Sequence, residues 1–562
     1  MIAYFCISTS GCIRINSLLM ANLLPDTLFQ LISSLEKSEK RHFKLYIKRS
    51  SAKEDLKVIR LFDAMDALTS YDEKLLLKKL PGITKPQLSN LKTHHYKQLL
   101  ASLRLLKTNE NTDLKLSEHL DNARLLYNKG LKLQALQILE KAKDLARANQ
   151  KFNFLVQVIS LEKKIETLHI TRSSLEKTEM LAQESLNISE HIHRVTHLSN
   201  LALLLYRWYV KNGHARNEQD EKEITRFFKE SLSANVNAIH GFYEKLYLYQ
   251  SYCWYAFIRQ DFLMYYRYSQ KWVDLFEKRN VMVTVETGHY IKGLHTLLNA
   301  HFDLRNFKKF EATLKQFEQF SKTPAANMHD NFRTHTSIYI NNAKINQYLM
   351  QGNFVEGLAV VPEILCKLQE YSLFVDSHRI LVFNYKIASL YFGAGEYSKA
   401  IDFLHKIIND NTSGLRNDLQ CYARLMHLLC HYELGNEDIL DSLIKSVYRF
   451  MAKMKNFTVV EDEIFSFLRH SVKVSPRELK PELNSFLQRI KHLEKNRFET
   501  RSFAYLDIIS WAESKVYEKP VSEIIRSKYL QSKHRIKDKI KPGSDTARLV
   551  SLQERSSVKS FE

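Results

Sequence analysis

The chain is 562 residues long and carries 83 lysines and arginines against 62 aspartates and glutamates, a formal net charge of +21. That length exceeds what one hydrophobic core organises, so several domains or an elongated repeat array are expected. The scarcity of breakers, 14 glycines and 9 prolines, argues against a sheet-rich fold with many tight turns.

The charge gives long-range attraction to nucleic acid, anionic membrane surfaces or acidic proteins without choosing among them. The cysteines Cys6, Cys12, Cys253, Cys366, Cys421 and Cys430 fit no metal-knuckle spacing and read as cytoplasmic thiols. In chain order, the first nineteen residues are moderately apolar, but no basic residue precedes Arg14, and a secretory signal needs its positive charge ahead of the apolar run. Residues 1–19 are expected to be a non-native or disordered extension, with the functional chain starting near Met20. No segment approaches eighteen uninterrupted apolar residues, so no membrane-spanning helix is expected.

From Pro25, helices are expected over 25–34, 38–49, 52–68, 72–80 and 85–107. Ser38 can cap the free amides of its helix, and Pro86 sits near a helix start, where its missing donor costs nothing. In the longest helix, Leu88, Leu91, Leu99, Leu103 and Leu106 mark the buried face, while Asn90, Lys97 and Arg104 recur every seven residues on the opposite side. A short helix, a Pro-Gly turn and a helix with no acid between Lys85 and Lys107 form an arrangement able to read nucleic acid, with Gln87, Thr93 and His94 as further contacts. The plainer reading is a bundle that caps the array and carries a lysine-rich surface.

The best-formed helix pair runs from Ala123 to Ala146. Gly130 closes its first helix, and Ala135, Leu139 and Ala142 line the second. Glycine permits the tight reversal, and alanine lets two helices approach without a clash. A second copy runs from Asn384 to Ile408, with Ala388, Tyr391, Gly395, Tyr397, Ala400 and Leu404 in the same register and Ile407 where the last alanine would stand. A third supplies Tyr348, Gly352, Phe354 and Gly357.

These units resemble the tetratricopeptide repeat, which places a glycine at its turn and alanines five and twelve residues beyond. The resemblance covers about residues 115–450 and implies an all-α fold, a right-handed α-α solenoid with an N-terminal helical capping module. Weaker turns at Gly213, Gln260, Arg305 and Gly435 extend the series to 213, 260, 305, 352, 395 and 435. Its steps exceed the roughly 34 residues of the standard repeat, so longer helices or longer loops are expected, and a ligand groove does not transfer from the family. The chain also resembles uncharacterised helical-repeat proteins of bacteria.

Beyond the repeats, Phe503, Tyr505, Leu506, Ile508 and Trp511 form a packing set, followed by a basic run that includes Lys533 and Arg535. The domain scheme is an extension at 1–19, a helical module at 20–110, the solenoid at 115–450, a closing helical segment at 451–541 and a disordered tail at 542–562.

Chemistry-bearing motifs are few. Residues 242–276 are rich in tyrosine and tryptophan, which either fill wide gaps between helices or form a patch able to grip a peptide or stack bases. His191, His193 and His197 share helical spacing but have no nearby cysteine and no glutamate of a zinc-hydrolase helix, so they read as surface or inter-helix histidines. No phosphate loop, dinucleotide fingerprint or nucleophile elbow occurs. The acid pairs Glu461 with Glu463 and Glu221 with Glu223 read as solvated.

The expected function is that of a non-enzymatic cytoplasmic scaffold that needs no cofactor or metal and holds a protein or peptide on a concave helical surface. Its candidate contacts are Asn341, Tyr348, Asn384 and Tyr391 on the first helices of well-matched units, with Lys344 and Lys386 beside them, and Tyr252, Tyr255, Arg259 and Tyr266 in the aromatic pair. The alternative is a nucleic-acid-associated regulator using Asn90, Lys97, Arg104, Lys533 and Arg535. It requires a continuous positive patch, whereas the scaffold requires lysines interleaved in space with acids. An enzyme would need a pocket gathering polar residues from distant repeats.

Overall fold

The computed structural model describes residues 26–50, 53–168, 175–232, 239–371, 375–410, 417–454, 457–474, 476–496 and 498–538. The expectations for 1–19 and 542–562 lie outside them. Among the described residues every regular element is a helix. The chain divides into two compact units at Ile188 and Ser189.

The first unit contains α1 (Thr27–Ser34), α2 (Lys37–Ser50), α3 (Lys53–Asp66), α4 (Glu73–Lys79), α5 (Lys85–Lys107), α6 (Thr112–Asn128), α7 (Lys132–Ala148) and α8 (Phe152–Leu168). Leu28, Ile32, Phe43, Ile47, Leu61, Phe62, Leu88 and Leu99 form the core of α1 to α5. At roughly 1.5–3 kcal/mol per fully buried aliphatic or phenyl side chain, this core dominates the local energetics. Helix starts follow capping chemistry: the Asp26 and Asp72 carboxylates accept the first amides of α1 and α4, and Thr84 with Gln87 forms a capping box ahead of Pro86 in α5. Ser38 does not cap α2. That helix begins at Lys37, and the Glu39 carboxylate accepts the Glu36 N–H at 2.9 Å instead.

The division falls within α9 (Leu175–Asn212). The second unit continues with α10 (Glu218–Ser231), α11 (Phe242–Ile258), α12 (Phe262–Glu277), α13 (Val281–Val285), α14 (Thr287–Asp303), α15 (Phe307–Ser321), α16 (Pro324–Asn327), α17 (Asp330–Gln351), α18 (Phe354–Ala359) and α19 (Val361–Glu370). It ends with α20 (Ser377–Gly393), α21 (Tyr397–Ile408), α22 (Asn417–Glu433), α23 (Glu437–Lys453), α24 (Val459–Ser471), α25 (Pro476–Leu493), α26 (Thr500–Tyr505), α27 (Ile508–Val516) and α28 (Val521–Asp538). Most helices pack on their sequence neighbours, as in a helical solenoid.

One closure joins the pairs. Gly130, Gln150, Gln260, Arg305, Gly352, Gly395, Gly435 and Glu518 all have left-handed backbones, with φ between 50° and 80°. After each, the next N–H reaches the carbonyl five residues back, as in Asp261 to Ala256 at 2.9 Å, Asn306 to His301 at 2.8 Å and Glu396 to Tyr391 at 2.9 Å. This double reversal satisfies the orphan carbonyls of the first helix. Gly213 is left-handed as well, so every turn in the 213 to 435 series falls on such a residue.

Packing keeps register with these turns. Seven residues before the left-handed residue, Ala123, Cys253, Leu298, Ile345, Ala388 and Leu428 are buried. Five residues after it, Ala135, Tyr265, Phe310, Gly357, Ala400 and Leu440 are buried. Twelve after it come Ala142, Trp272, Phe317, Ile364, Ile407 and Val447, all buried. The long steps have a physical source: the short helices α13 and α16 and the additional helix α19 stand between pairs, and α17 spans 22 residues.

The C-terminal helices fold back onto earlier pairs of the second unit. Thr500 donates to Gln260 Oε1 at 2.8 Å, Arg526 bonds Asn353, and Tyr529 packs edge-on against Phe307 at 4.7 Å and donates to Glu311 at 3.2 Å. Glu461, expected to be solvated, is fully buried and accepts hydrogen bonds from Tyr422 at 2.9 Å and Ser502 at 2.6 Å. The Tyr422 and Ser502 hydroxyls supply the compensation that makes such burial tolerable.

Candidate functional site

The first helices α11, α14, α17 and α20 carry apolar residues toward their own second helices, and a second stripe that is polar. On α14 the stripe is Lys292, His295, Asn299 and Asp303; on α17 it is His335, Tyr339, Asn342 and Asn346; on α20 it is Arg379 and Lys386. Steps of three, four and seven place each set on one helical face.

Side chains link the stripes across successive first helices. Tyr243 of α11 donates to Glu286 at 2.7 Å, and Gln250 meets His289 of α14 at 3.0 Å. His295 stacks on Tyr339 with ring centroids 3.9 Å apart, and the ammonium of Lys292 lies 5.7 Å from the same ring. Arg379 donates to the Tyr339 hydroxyl at 3.3 Å. Lys386 Nζ donates to Asn342 Oδ1 at 2.7 Å and Asn346 Oδ1 at 2.5 Å.

The electrostatics follow from how far these side chains are withdrawn from solvent. Burial pushes the Lys386 ammonium down to about 7 against the weaker pull of Asp303, and burial pushes Asp303 up to about 7 against the pull of Lys386. One Asp303 oxygen, Oδ2, is buried without a hydrogen-bond partner. Burial, reinforced by Lys292, Lys386 and Arg379, holds His295 well below the ordinary imidazole range, so it is neutral at pH 7. The seam therefore contains cations, amides and rings at close quarters, a composition suited to polar recognition and not to apolar docking.

The residues named from sequence take up different places. Asn341 is half-buried beside Ser337 at 3.5 Å, and Asn384 is buried. Tyr348 packs where a methyl on Gly357 would come within 3.0 Å of its Cβ, and Tyr391 stacks on Phe403 at 5.6 Å. Lys344 pairs with Glu318 at 3.3 Å. In the aromatic pair, Tyr252 stacks on Tyr268 at 4.0 Å and Tyr255 on Phe228 at 4.1 Å. Arg259 pairs with Glu221 at 2.6 Å, at the edge of an open cleft of about 580 Å³ on α10, and Tyr266 receives a hydrogen bond from Lys309 at 2.5 Å. The structure brings Tyr255 and Arg259 together, 5.0 Å apart. Lys386 alone of the named groove residues lies in the polar seam; the others there were reachable from sequence only through the spacing of His335, Tyr339, Asn342 and Asn346.

On α5, Asn90, Lys97 and Arg104 are exposed. Its other lysines are met by acids of neighbouring helices: Lys85 by Glu73 at 3.1 Å, Lys92 by Asp26 at 2.6 Å and Lys107 by Glu39 at 3.4 Å. The side chains of Lys533 and Arg535 lie outside the described residues. His95, a neighbour of the named His94, is fully buried between Phe43 and Phe62, where burial pushes it down to about 4.

His191 faces Glu244 at 3.3 Å, His197 bonds the Ser231 carbonyl at 2.8 Å, and His193 is exposed, so the three do not converge. Among the described residues no group of three or more His, Cys, Asp or Glu could hold a metal ion, and no helix is long and apolar enough to cross a membrane. The chain matches no protein-family model and no curated protein.

Proposed function

We propose that the chain is a non-enzymatic, cytoplasmic interaction scaffold of tetratricopeptide-like design, a right-handed solenoid with its N-terminal helices as a cap, that binds a protein or peptide along the polar seam of α14, α17 and α20. The observation that carries this reading is the chain of contacts from His295 through Tyr339 to Arg379, and from Asn342 and Asn346 to Lys386, because it joins three successive first helices into one surface. Recognition there is distributed over several polar groups, as extended helical surfaces require.

A photo-crosslinking residue placed at Asn299, in the seam, is expected to capture a partner in the cell of origin. The same residue at Lys344, paired with Glu318 away from the seam, is expected to capture none. Equal capture from both positions, or none from Asn299, sinks the proposal.

A second reading rests on the exposure of Asn90, Lys97 and Arg104 along α5: the helix contacts nucleic-acid phosphate. It expects duplex binding that falls linearly with log salt and loses slope in Lys97→Glu and Arg104→Glu. Salt-independent or absent anisotropy change removes it.

A further inference from the structure

A row of three imidazoles crosses the interface of α21 and α22. His427, buried on α22, has its Nε2 3.1 Å from Nε2 of His405, in the last turn of α21, and 3.3 Å from Nε2 of His431, one turn further along α22. The far side of His431 is held by the turn into α23, where Asn436 Nδ2 donates to its Nδ1 at 2.8 Å. That bond fixes the protons in turn. A neutral His431 that accepts at Nδ1 carries its hydrogen on Nε2 and points it at His427. His427 Nε2 is then the acceptor, and its one in-plane lone pair is engaged. A proton added to that atom sets N–H against N–H, and two imidazoliums in the row set like charges at contact distance.

The surroundings offer no counter-charge to the centre of the row. The charges acting on His427 come from His405 on α21 and from His431 and Arg424 on α22, and on His431 from His405 alone. No carboxylate of α20, α21, α22 or α23 among the described residues acts on either ring. Asp402 and Lys406 are the charged neighbours of His405 along α21. That helix is 12 residues long and rests on buried Ala400, Leu404 and Ile407. Its last carbonyls are met from α22 by Gln420, which donates to Ile407 at 2.5 Å, and by Arg424, which donates to Ile408 at 3.3 Å.

We propose that the row is an acid-released catch: with neutral rings it joins the end of α21 to α22 and to the turn into α23, and when more than one ring is charged the last turns of α21 lift from α22. The catch lies in the helices that follow the polar seam, and it stands whether or not the seam holds a partner. Burial first, then His431, His405 and Arg424, push His427 down to about 4, and burial and His405 push His431 down as well. Opening returns both rings toward the roughly 6.5 of a free imidazole. The open form therefore holds more protons between those values. The advantage of the closed form is complete above about pH 6.5 and is lost as pH falls toward 4.

The test is hydrogen exchange of the full chain read by mass spectrometry, with protection corrected for the intrinsic pH dependence of exchange. Peptides covering α21 are expected to lose about tenfold in protection between pH 6.5 and 5.0. Peptides of α11 and α12, which lie in the same unit and contain no histidine, are expected to lose far less. His427→Gln places an amide that cannot charge at the centre of the row and should remove most of the fall. His405→Gln, at an exposed position, should reduce the fall as well, which keeps the proposal open to test if the first variant does not fold. His405→Lys fixes a charge at one end and should move the fall to higher pH. Constant protection of α21 from pH 6.5 to 5.0 overturns the proposal, and so does an equal fall in α11 and α12, which would mark unfolding of the whole unit. Glutamine variants that lower protection equally at every pH and leave the fall intact also overturn it, because the rings would then serve packing alone.

Discussion

The pairs α11–α12 and α20–α21 use one turn and one register with opposite packing chemistry. In α20–α21 the left-handed residue is Gly395, and the buried Ala388 and Ala400 let the two helices approach. In α11–α12 it is Gln260, Cys253 stands where Ala388 would, Tyr265 stands for Ala400 and Trp272 for Ile407. The small-residue contact moves one turn along: Cys253 Sγ lies 3.5 Å from Ser269 Oγ. The bulk of Trp272 is absorbed by the next first helix, where Gly293 leaves room; a methyl there would sit 3.1 Å from the indole nitrogen. What the array holds constant is volume summed over three helices, not the residue at any one position.

The largest test of that statement is Trp272→Ala. The indole is buried, and on the Gly293 side there is no side chain to fill the vacated space, so the substitution should cost about 3–5 kcal/mol in denaturant unfolding. A loss under about 1 kcal/mol would mean that the aromatic pair is not packed as described. Gly293→Ala sharpens the point. Alone it crowds Trp272, at a cost of about 1–3 kcal/mol from overpacking partly offset by better helix propensity. Combined with Trp272→Leu the crowding disappears, and the two changes should couple by at least about 0.5 kcal/mol. Strict additivity would break the claim that the two positions share one volume.

Next in size is a contrast between two glycines. Gly395 has φ near +80° and open space around its absent Cβ, so Gly395→Ala should cost only the left-handed strain, about 1–2 kcal/mol. Gly352 has φ near +69°, and its Cβ would meet the Ser522 carbonyl at 2.6 Å and the Arg526 amide nitrogen at 3.0 Å. Backbone cannot swing aside as a side chain does, so Gly352→Ala should lose the same strain plus roughly 1–3 kcal/mol of overpacking. Equal losses, measured by urea unfolding, would show that α28 yields freely and that its docking on α17 is loose.

The turn series was legible because glycine advertises a reversal, and Gln260 and Arg305 were found by spacing alone. The seam was not legible in the same way. Asn341 and Asn342 are adjacent in sequence but separated by about 100° around the helix, and only the phase of α17 against its neighbours decides which faces Lys386. A sequence shows the period of a helix far better than its phase when polar residues lie on both sides of the stripe. The return of Thr500 to Gln260 was invisible for another reason: no local pattern records a contact between residues 240 positions apart. Glu461 failed on the same ground, since its hydroxyl partners Tyr422 and Ser502 come from distant helices.

The smallest effects separate backbone from side chain at the turns without glycine. Arg305, with φ of 50°, has a side chain 53% exposed whose only ion-pair contact among the described residues is Asp507 at 4.0 Å. Arg305→Gly removes the left-handed strain and loses almost nothing else, so even after the added freedom of the unfolded chain it should stabilise the fold by about 0.5–1 kcal/mol. Gln260 has nearly the same backbone, φ of 58°, but its side chain is buried, donates to the Ala215 carbonyl at 3.1 Å and accepts from Thr500 at 2.8 Å. Gln260→Gly removes the donor to the buried Ala215 carbonyl and the tie to Thr500, a cost of about 1–3 kcal/mol that outweighs the relief of strain. The two substitutions should therefore shift the unfolding midpoint in opposite directions. If both stabilise, the tie between the first aromatic turn and the C-terminal helices contributes nothing, and the difference between the two kinds of turn reduces to backbone conformation alone.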